Sequence, residues 1–210
     1  MAKPKKKPKK DEKLRILAAG DFHGSVELAK KASDKAKREK VDLVVLAGDI
    51  HGAIEGVDVL APFRKAKQKV VFVPGNWDTS KEAALLRGVH GMKNLDGYYV
   101  NYKGVDIVGI GNPDFELVLD EKKARKKLKN VFEKIKTKGG KKILVSHVHA
   151  AGTKSEFSGF AGSKALREAI DKFKPDVFIS GHIHEAEGIE EVIGKTLVVN
   201  VGRRGKVLEV

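Results

Sequence analysis

The chain has 210 residues, of which 41% are hydrophobic and 33% charged, so it is long enough for one globular domain with a sizeable core. It contains no cysteine, which excludes disulfides and thiolate metal ligands and agrees with a cytoplasmic location. The sequence shows no apolar run near the ~20 residues of a membrane-spanning helix, and its lysine-rich start lacks the apolar stretch of a secretory signal.

The formal net charge is +14, and residues 1–10 contribute to it with six lysines and no acidic residue. Such a segment cannot bury apolar area, so we expect residues 1–12 to form a disordered basic tail and residues 13–210 to form one domain. Two functions for the tail stay open: an arm that binds nucleic acid through phosphate contacts, and a solvated segment that raises solubility. No aromatic residue lies among these lysines, so base stacking is not indicated.

Short apolar runs alternate with longer amphipathic stretches along the domain. The apolar runs predict strands at residues 14–19, 41–47, 70–73, 142–145 and 177–179, and a hairpin formed by residues 98–101 and 105–110. Helical spacing predicts helices at residues 25–38, 59–67, 80–87 with Ser80 as the cap, 121–138 and 163–173. Three short β runs follow within residues 187–210. This order predicts an α/β fold with one or two mixed sheets, and residues 150–162 form an irregular loop that is a candidate cover for a site.

Polar motifs directly follow five of the predicted strands. They are GDFHG at residues 20–24, GD at 48–49, GNWD at 75–78, SH at 146–147 and GHIH at 181–184. The carboxyl ends of strands in open α/β sheets form ligand sites, so we expect the five motifs to converge. In D-x-H and H-x-H, an extended backbone would direct both side chains to the same side, and the glycines allow close backbone approach. Each motif alone is more often a turn, but their ordered occurrence favours a site for two metal ions, because carboxylate, imidazole and amide groups suit such a site.

The order D-x-H, GD, GN, H and GHxH across residues 14–210 resembles the calcineurin-like metallophosphoesterase superfamily, and more closely its small archaeal and prokaryotic phosphodiesterase-like members. Those members also tend to end in a strand followed by an N-x-G turn, similar to VVNVG at residues 198–202. The resemblance implies two mixed β-sheets packed as a sandwich and flanked by helices, in four layers α/β/β/α. It also implies an enzyme that hydrolyses phosphoesters, and phosphodiesters in particular, with a dinuclear metal centre and a metal-bound hydroxide.

The same resemblance implies a role for each polar side chain. The first metal ion would bind Asp21, His23 and His184, and the second would bind Asn76, His147 and His182. Asp49 would bridge the two ions. A mixed nitrogen and oxygen shell accepts several divalent ions, of which Mn²⁺ is our expectation and Fe, Zn²⁺ and Ni²⁺ are alternatives. A phosphoester is the expected substrate, whereas the oligomeric state cannot be read from the sequence.

One position departs from the family pattern. Many members carry a histidine after Gly-Asn that serves as a proton donor or charge stabiliser near the leaving group. Here that position is Trp77, whose indole donates a hydrogen bond but cannot transfer a proton at physiological pH. The catalytic residue is therefore unknown. His149 and His51 are candidate replacements, with supporting or solvent-facing positions as the alternative for both. We expect Asp78 to orient a neighbour or to cap the helix near Ser80.

Trp77 also leaves a second class of function open. The chain could be a weakly active or inactive metal-binding interaction module of the same fold, as in the retromer subunit that resembles this superfamily, because large aromatic side chains suit binding surfaces. A further alternative is a nucleic-acid-associated protein with the basic tail as its tether.

Overall fold

A computed structural model of the protein describes residues 13–52, 58–89, 92–135 and 139–210. The prediction of a disordered tail at residues 1–12 lies outside these ranges. Within them the chain forms five α-helices and eleven β-strands, together with two short 3₁₀ turns. None of the helices in the described ranges has the length and apolar character to cross a membrane.

The strands form two mixed sheets. The first sheet contains β1 (Arg15–Ala19), β2 (Leu43–Ala47), β3 (Val70–Val73), β4 (Lys93–Asn94) and β11 (Lys206–Glu209), in the order β11-β1-β2-β3-β4 with only β11 antiparallel to its neighbour. The second sheet contains β5 (Tyr99–Tyr102), β6 (Val105–Ile110), β7 (Lys142–Ser146), β8 (Val177–Ser180), β9 (Glu190–Ile193) and β10 (Thr196–Asn200). Its order is β5-β6-β7-β8-β10-β9, and its two edge strands are antiparallel to their neighbours.

The two sheets pack face to face, and helices cover their outer faces. Along β1, Ile16 and Ala18 enter the core between the sheets, whereas Leu17 and Ala19 contact the helical layer, as the two-residue period of a strand requires. The helices α1 (Val26–Arg38), α2 (Ala61–Lys65) and α3 (Ser80–Val89) cover the first sheet. The helices α4 (Glu121–Lys134) and α5 (Lys164–Phe173) cover the second. The predicted four-layer α/β/β/α sandwich is therefore confirmed.

The predicted elements all occur, with ends that differ by a few residues, but the cap of α3 was assigned wrongly. Thr79 is the cap: its Oγ1 accepts a hydrogen bond from the Glu82 amide at 3.1 Å, and the Glu82 carboxylate accepts one from the Thr79 amide at 2.9 Å. This reciprocal pair satisfies two amides at the start of the helix, so Ser80 lies in the first turn instead. The short strand β4 was not predicted, because two residues carry too little of an alternating pattern.

Candidate metal centre

The five polar motifs meet at one edge of the sandwich, where β1, β2 and β3 of the first sheet and β7 and β8 of the second end. In the described chain, two groups of Asp and His side chains each offer ligand atoms within 4.8 Å of one another; they are Asp21, His23 and His184 in the first group and Asp49, His147 and His182 in the second. The amide of Asn76 joins the second group, with its Oδ1 2.9 Å from Nε2 of His147. All seven side chains singled out in the sequence therefore lie together.

Asp49, a member of the second group, also lies close to the first. Its Oδ2 is 3.6 Å from Nε2 of His23 in the first group and 3.4 Å from Nε2 of His147 in the second. Its Oδ1 accepts a hydrogen bond from the Trp77 amide at 2.9 Å, which fixes the orientation of the carboxylate. This placement allows one carboxylate to contact an ion in each group.

The backbone reaches this arrangement through left-handed conformations at four residues of the site. The φ angles of Asp21, His23, Asp49 and His182 are 56°, 45°, 50° and 70°. The expectation that extended alternation directs Asp21 and His23 to one side was therefore wrong, although the two side chains do come together. Non-glycine residues rarely adopt this region, and such residues cluster at functional sites.

Glycines allow the close packing of these turns, as predicted. A Cβ atom at Gly75 would collide with the carboxylate of Asp49, and one at Gly48 would lie 2.6 Å from Nδ1 of His147. Both positions therefore need a residue without a side chain.

Hydrogen bonds behind the site fix its side chains. Nδ1 of His147 donates to the carbonyl of Ala47 at 2.8 Å, which leaves Nε2 directed at Asp49 and Asn76. The buried carboxylate of Asp78 accepts hydrogen bonds from the amides of Ile50, His51 and Gly75 at 2.8–3.0 Å. It also lies 3.0 Å from Nδ1 of His51. Asp78 thus joins the turns after β2 and β3, which confirms its predicted orienting role, while the capping alternative was wrong.

Arg203 was not singled out in the sequence. Its Nη2 lies 3.1 Å from Nδ1 of His184, and its Nε donates to the carbonyl of Asp21 at 3.2 Å. The residue follows the N-x-G turn after β10 and reaches the site only because β10 packs beside β8. No local motif marks an arginine in that position.

Burial and neighbouring charges shift the pKa values of the central residues. Burial raises the pKa of Asp21 to about 7, and its Oδ2 is buried without a hydrogen-bond partner in the described chain. Burial opposes protonation of His147, but the nearby Asp49 carboxylate outweighs it and the pKa of His147 rises to about 9. Burial, and then the neighbouring His147, lower the pKa of His182 to about 4.

The donor set itself suits cations. A buried carboxylate oxygen with no donor, close to imidazole nitrogens and an amide oxygen, is a combination that divalent metal ions prefer. The residues present therefore fit two divalent ions.

His149 and Trp77 lie outside both groups. His149 is 2% exposed, and its Nε2 donates to the carbonyl of Phe160 at 3.2 Å, so it supports the loop before α5. Burial also lowers the pKa of His149. The ring of Trp77 is exposed at the mouth of the site, 5.8 Å from the ring of His23 and 6.3 Å from that of Phe115.

The sequence matches the family model of the calcineurin-like phosphoesterase superfamily domain over residues 14–209. The chain belongs to this superfamily, whose members typically bind two metal ions and act on phosphoesters. No curated protein sequence matches it.

Solved structures share the fold. TT1561 of Thermus thermophilus is 21% identical with a TM-score of 0.72, and the alignment covers 95% of this chain and 99% of that one. A dimetal phosphatase from Danio rerio is 15% identical with a TM-score of 0.60, over 91% of this chain and 88% of that one. A novel archaeal phosphodiesterase is 17% identical with a TM-score of 0.55, over 93% of this chain and 98% of that one. At these identities the likeness establishes the fold alone.

Proposed function

We propose that the protein is a metal-dependent phosphodiesterase that works with two divalent ions, Mn²⁺ first among them. The observation that supports this most is the position of Asp49, whose Oδ2 lies 3.6 Å from Nε2 of His23 in the first group and 3.4 Å from Nε2 of His147 in the second. Bound there, two ions would neutralise phosphate charge and activate a water molecule for in-line attack. Asp21, His23 and His184 would hold the first ion, and His147, His182 and Asn76 the second.

The side chains around the ions define which esters the site can cleave. Because Trp77 occupies the usual histidine position, no side chain there can protonate the leaving group, so we expect esters of acidic alcohols to react best. Nε2 of His149 donates a hydrogen bond to the backbone carbonyl of Phe160, so this N–H is engaged with the loop and does not replace the missing acid.

The test compares bis-p-nitrophenyl phosphate with p-nitrophenyl phosphate. Metal-stripped protein receives Mn²⁺, Ni²⁺, Zn²⁺ or Mg²⁺ separately, and Asp49→Asn serves as the nearly isosteric variant. We expect metal-dependent cleavage that favours the diester and falls by at least about 100-fold in Asp49→Asn. As a matched control, Asp34→Asn changes an exposed carboxylate on α1 and leaves the rate unchanged. Cleavage that persists at full rate in Asp49→Asn would contradict the proposal.

A metal-binding interaction module is the second candidate, and the exposed pair of Trp77 and Phe115 favours it. These rings lie 6.3 Å apart at the mouth of the site, in the kind of aromatic cluster that protein interfaces use. Protein that binds two equivalents of Mn²⁺ by calorimetry yet cleaves neither ester with any of the four metals would favour this function over the enzyme.

A further inference from the structure

A cavity of about 360 Å³ adjoins the metal centre at His182. One side of it is formed by the segment between β6 and α4, which contributes Leu117 and Val118. The opposite side is formed by the loop before α5, which contributes Phe160, and Val148 and His149 also line the cavity. Because His182 belongs to both, the cavity lies next to the site proposed to bind phosphate.

Three of the residues that line this cavity are large, apolar and yet open to solvent. Leu117 is 69% exposed, Val118 is 74% exposed and Phe160 is 62% exposed. The ring of Phe160 also lies 6.4 Å from the ring of His182. Single exposed apolar side chains are ordinary, but three around one cavity beside polar ligands have the character of a ligand-binding wall.

The wall that carries Phe160 is fixed by polar contacts. The buried ring of His149 donates to the Phe160 carbonyl at 3.2 Å, and Glu156 accepts a hydrogen bond from the Gly162 amide at 2.9 Å. A β-bridge between Ala150 and Ser163 closes the base of the loop. A wall held in place before a ligand arrives loses little entropy on binding, which raises affinity.

We propose that this cavity binds an ester group of the substrate, and that the substrate class is phosphodiesters with an aromatic or branched aliphatic ester group. The inference rests on the proposed function, because the phosphate would be held by the adjoining metal centre. A volume of about 360 Å³ fits a ring or a short branched chain and is too small for a folded partner. Leu117, Val118 and Phe160 suit an apolar group, and the two charged residues that also line the cavity, Glu121 and Lys164, contribute one charge of each sign.

The test measures binding, so that it does not depend on turnover. Phenylphosphonate and methylphosphonate present the same phosphonate group with and without a ring, and calorimetry gives their affinities for the Mn²⁺-loaded full-length protein. Burying one ring against Phe160 and Leu117 predicts about tenfold tighter binding of phenylphosphonate. Phe160→Ser and Leu117→Ser should each reduce this preference several-fold and leave methylphosphonate binding unchanged.

Phe157→Ser is the matched control, because Phe157 belongs to the same loop, is also 62% exposed and does not line the cavity. We expect it to keep the full preference. Equal affinities of the two phosphonates for the unaltered protein, or an equal loss in the Phe157 and Phe160 variants, would overturn the proposal.

A second pair of compounds separates this proposal from the proposed function. p-Nitrophenyl phenylphosphonate and methyl p-nitrophenyl phosphate release the same phenolate and differ in the group that remains on phosphorus. If neither is cleaved while the binding preference persists, the phosphodiesterase proposal fails and the cavity assignment stands. If both are cleaved and no binding preference exists, only the cavity assignment fails.

Discussion

The left-handed residues of the candidate metal centre are held by backbone hydrogen bonds between neighbouring strand ends. The Asp21 amide donates to the carbonyl of Gly48 at 3.0 Å, and the His23 amide donates to the carbonyl of Asp49 at 2.9 Å. Each such conformation costs on the order of 1 kcal/mol or more, so these contacts offset strain that the side-chain geometry requires. The turns after β1 and β2 therefore act as one rigid unit.

At the residue scale, Arg203 should oppose metal binding. An arginine can only donate hydrogen bonds, so Nδ1 of His184 accepts from Arg203 and a neutral ring carries its proton on Nε2, the nitrogen that faces the first group. A metal ion bound at Nε2 requires the ring proton of His184 to be on Nδ1. There it would face the N–H groups of the Arg203 guanidinium, which can only donate. We therefore expect Arg203→Ala to raise Mn²⁺ affinity about three- to tenfold.

The measurement is a fluorescence titration, because Trp77 is the sole tryptophan and its ring lies 5.8 Å from that of His23. Arg204→Ala is the control, since Arg204 is adjacent and contacts Glu187. An unchanged or weaker Mn²⁺ affinity in Arg203→Ala would show that the guanidinium supports the metal-bound arrangement.

At the scale of elements, the alternation of apolar runs and amphipathic stretches was sufficient to predict the helices and the main strands. A strand buried on both faces leaves a continuous apolar run, whereas a helix buried on one face leaves a helical period. The sequence also predicted that seven polar side chains converge, since each lies within a few residues of a strand end, and the structure brings them together. It did not reveal Arg203, because the partners of this residue are chosen by tertiary packing. The Thr79 cap, in contrast, is written in the sequence as the capping box TSKE at residues 79–82, which identifies Thr79 rather than Ser80. The part of the 121–138 helix prediction at residues 136–138 lies outside the described residues, and α4 ends at Lys134.

The turn after β3 gives a prediction at the same scale. In Gly75→Ala the new methyl group would collide with the Asp49 carboxylate, so the turn must shift and Asp49 must leave its position between the two groups. We expect a loss of about 1–3 kcal/mol in unfolding free energy and a loss of the rise in melting temperature on adding Mn²⁺.

Gly104→Ala provides the comparison, because Gly104 has a φ of 85° and no neighbouring atom within 4 Å of an added Cβ. It introduces backbone strain of about 1 kcal/mol without a collision. Calorimetric melting should therefore show a lower melting temperature but an intact Mn²⁺-induced rise. If Mn²⁺ also raises the melting temperature of Gly75→Ala, the turn accommodates the methyl group without moving Asp49, and the prediction is wrong.

At the scale of the whole molecule, the buried ionisable groups of the candidate centre predict two opposite responses to rising pH. The stability of the metal-free protein should fall, and its affinity for metal should rise. The pKa of His147 is raised from 6.5 to about 9, so its stabilising contribution is complete below pH 6.5 and is lost as the pH rises through 9. The pKa of Asp21 is raised from 3.8 to about 7, so the metal-free protein also loses stability as Asp21 ionises up to that pH. We expect metal-free protein to lose about 2 kcal/mol of unfolding free energy between pH 6.5 and 8.5.

Metal binding displaces these protons, so Mn²⁺ affinity should rise over the same interval. The gap between the melting temperatures of loaded and stripped protein therefore widens from pH 6.5 to pH 8.5. Denaturant unfolding of the stripped protein and calorimetric melting of both forms measure the two effects. A constant gap would mean that neither His147 nor Asp21 holds a proton that the metal displaces.

The net charge of +14 supports one further prediction for the molecule as a whole, and it concerns residues 1–10. If the tail binds nucleic acid, removing these residues must weaken binding to a duplex oligonucleotide. The slope of log affinity against log salt concentration should also fall by about one unit for each lysine that contacts a phosphate. Six lysines lie in this segment, so fluorescence anisotropy at several salt concentrations has ample range to detect the change. Equal affinity and equal slope for full-length and shortened protein would assign the tail to solubility alone, because counterion release cannot occur without contacts to phosphate.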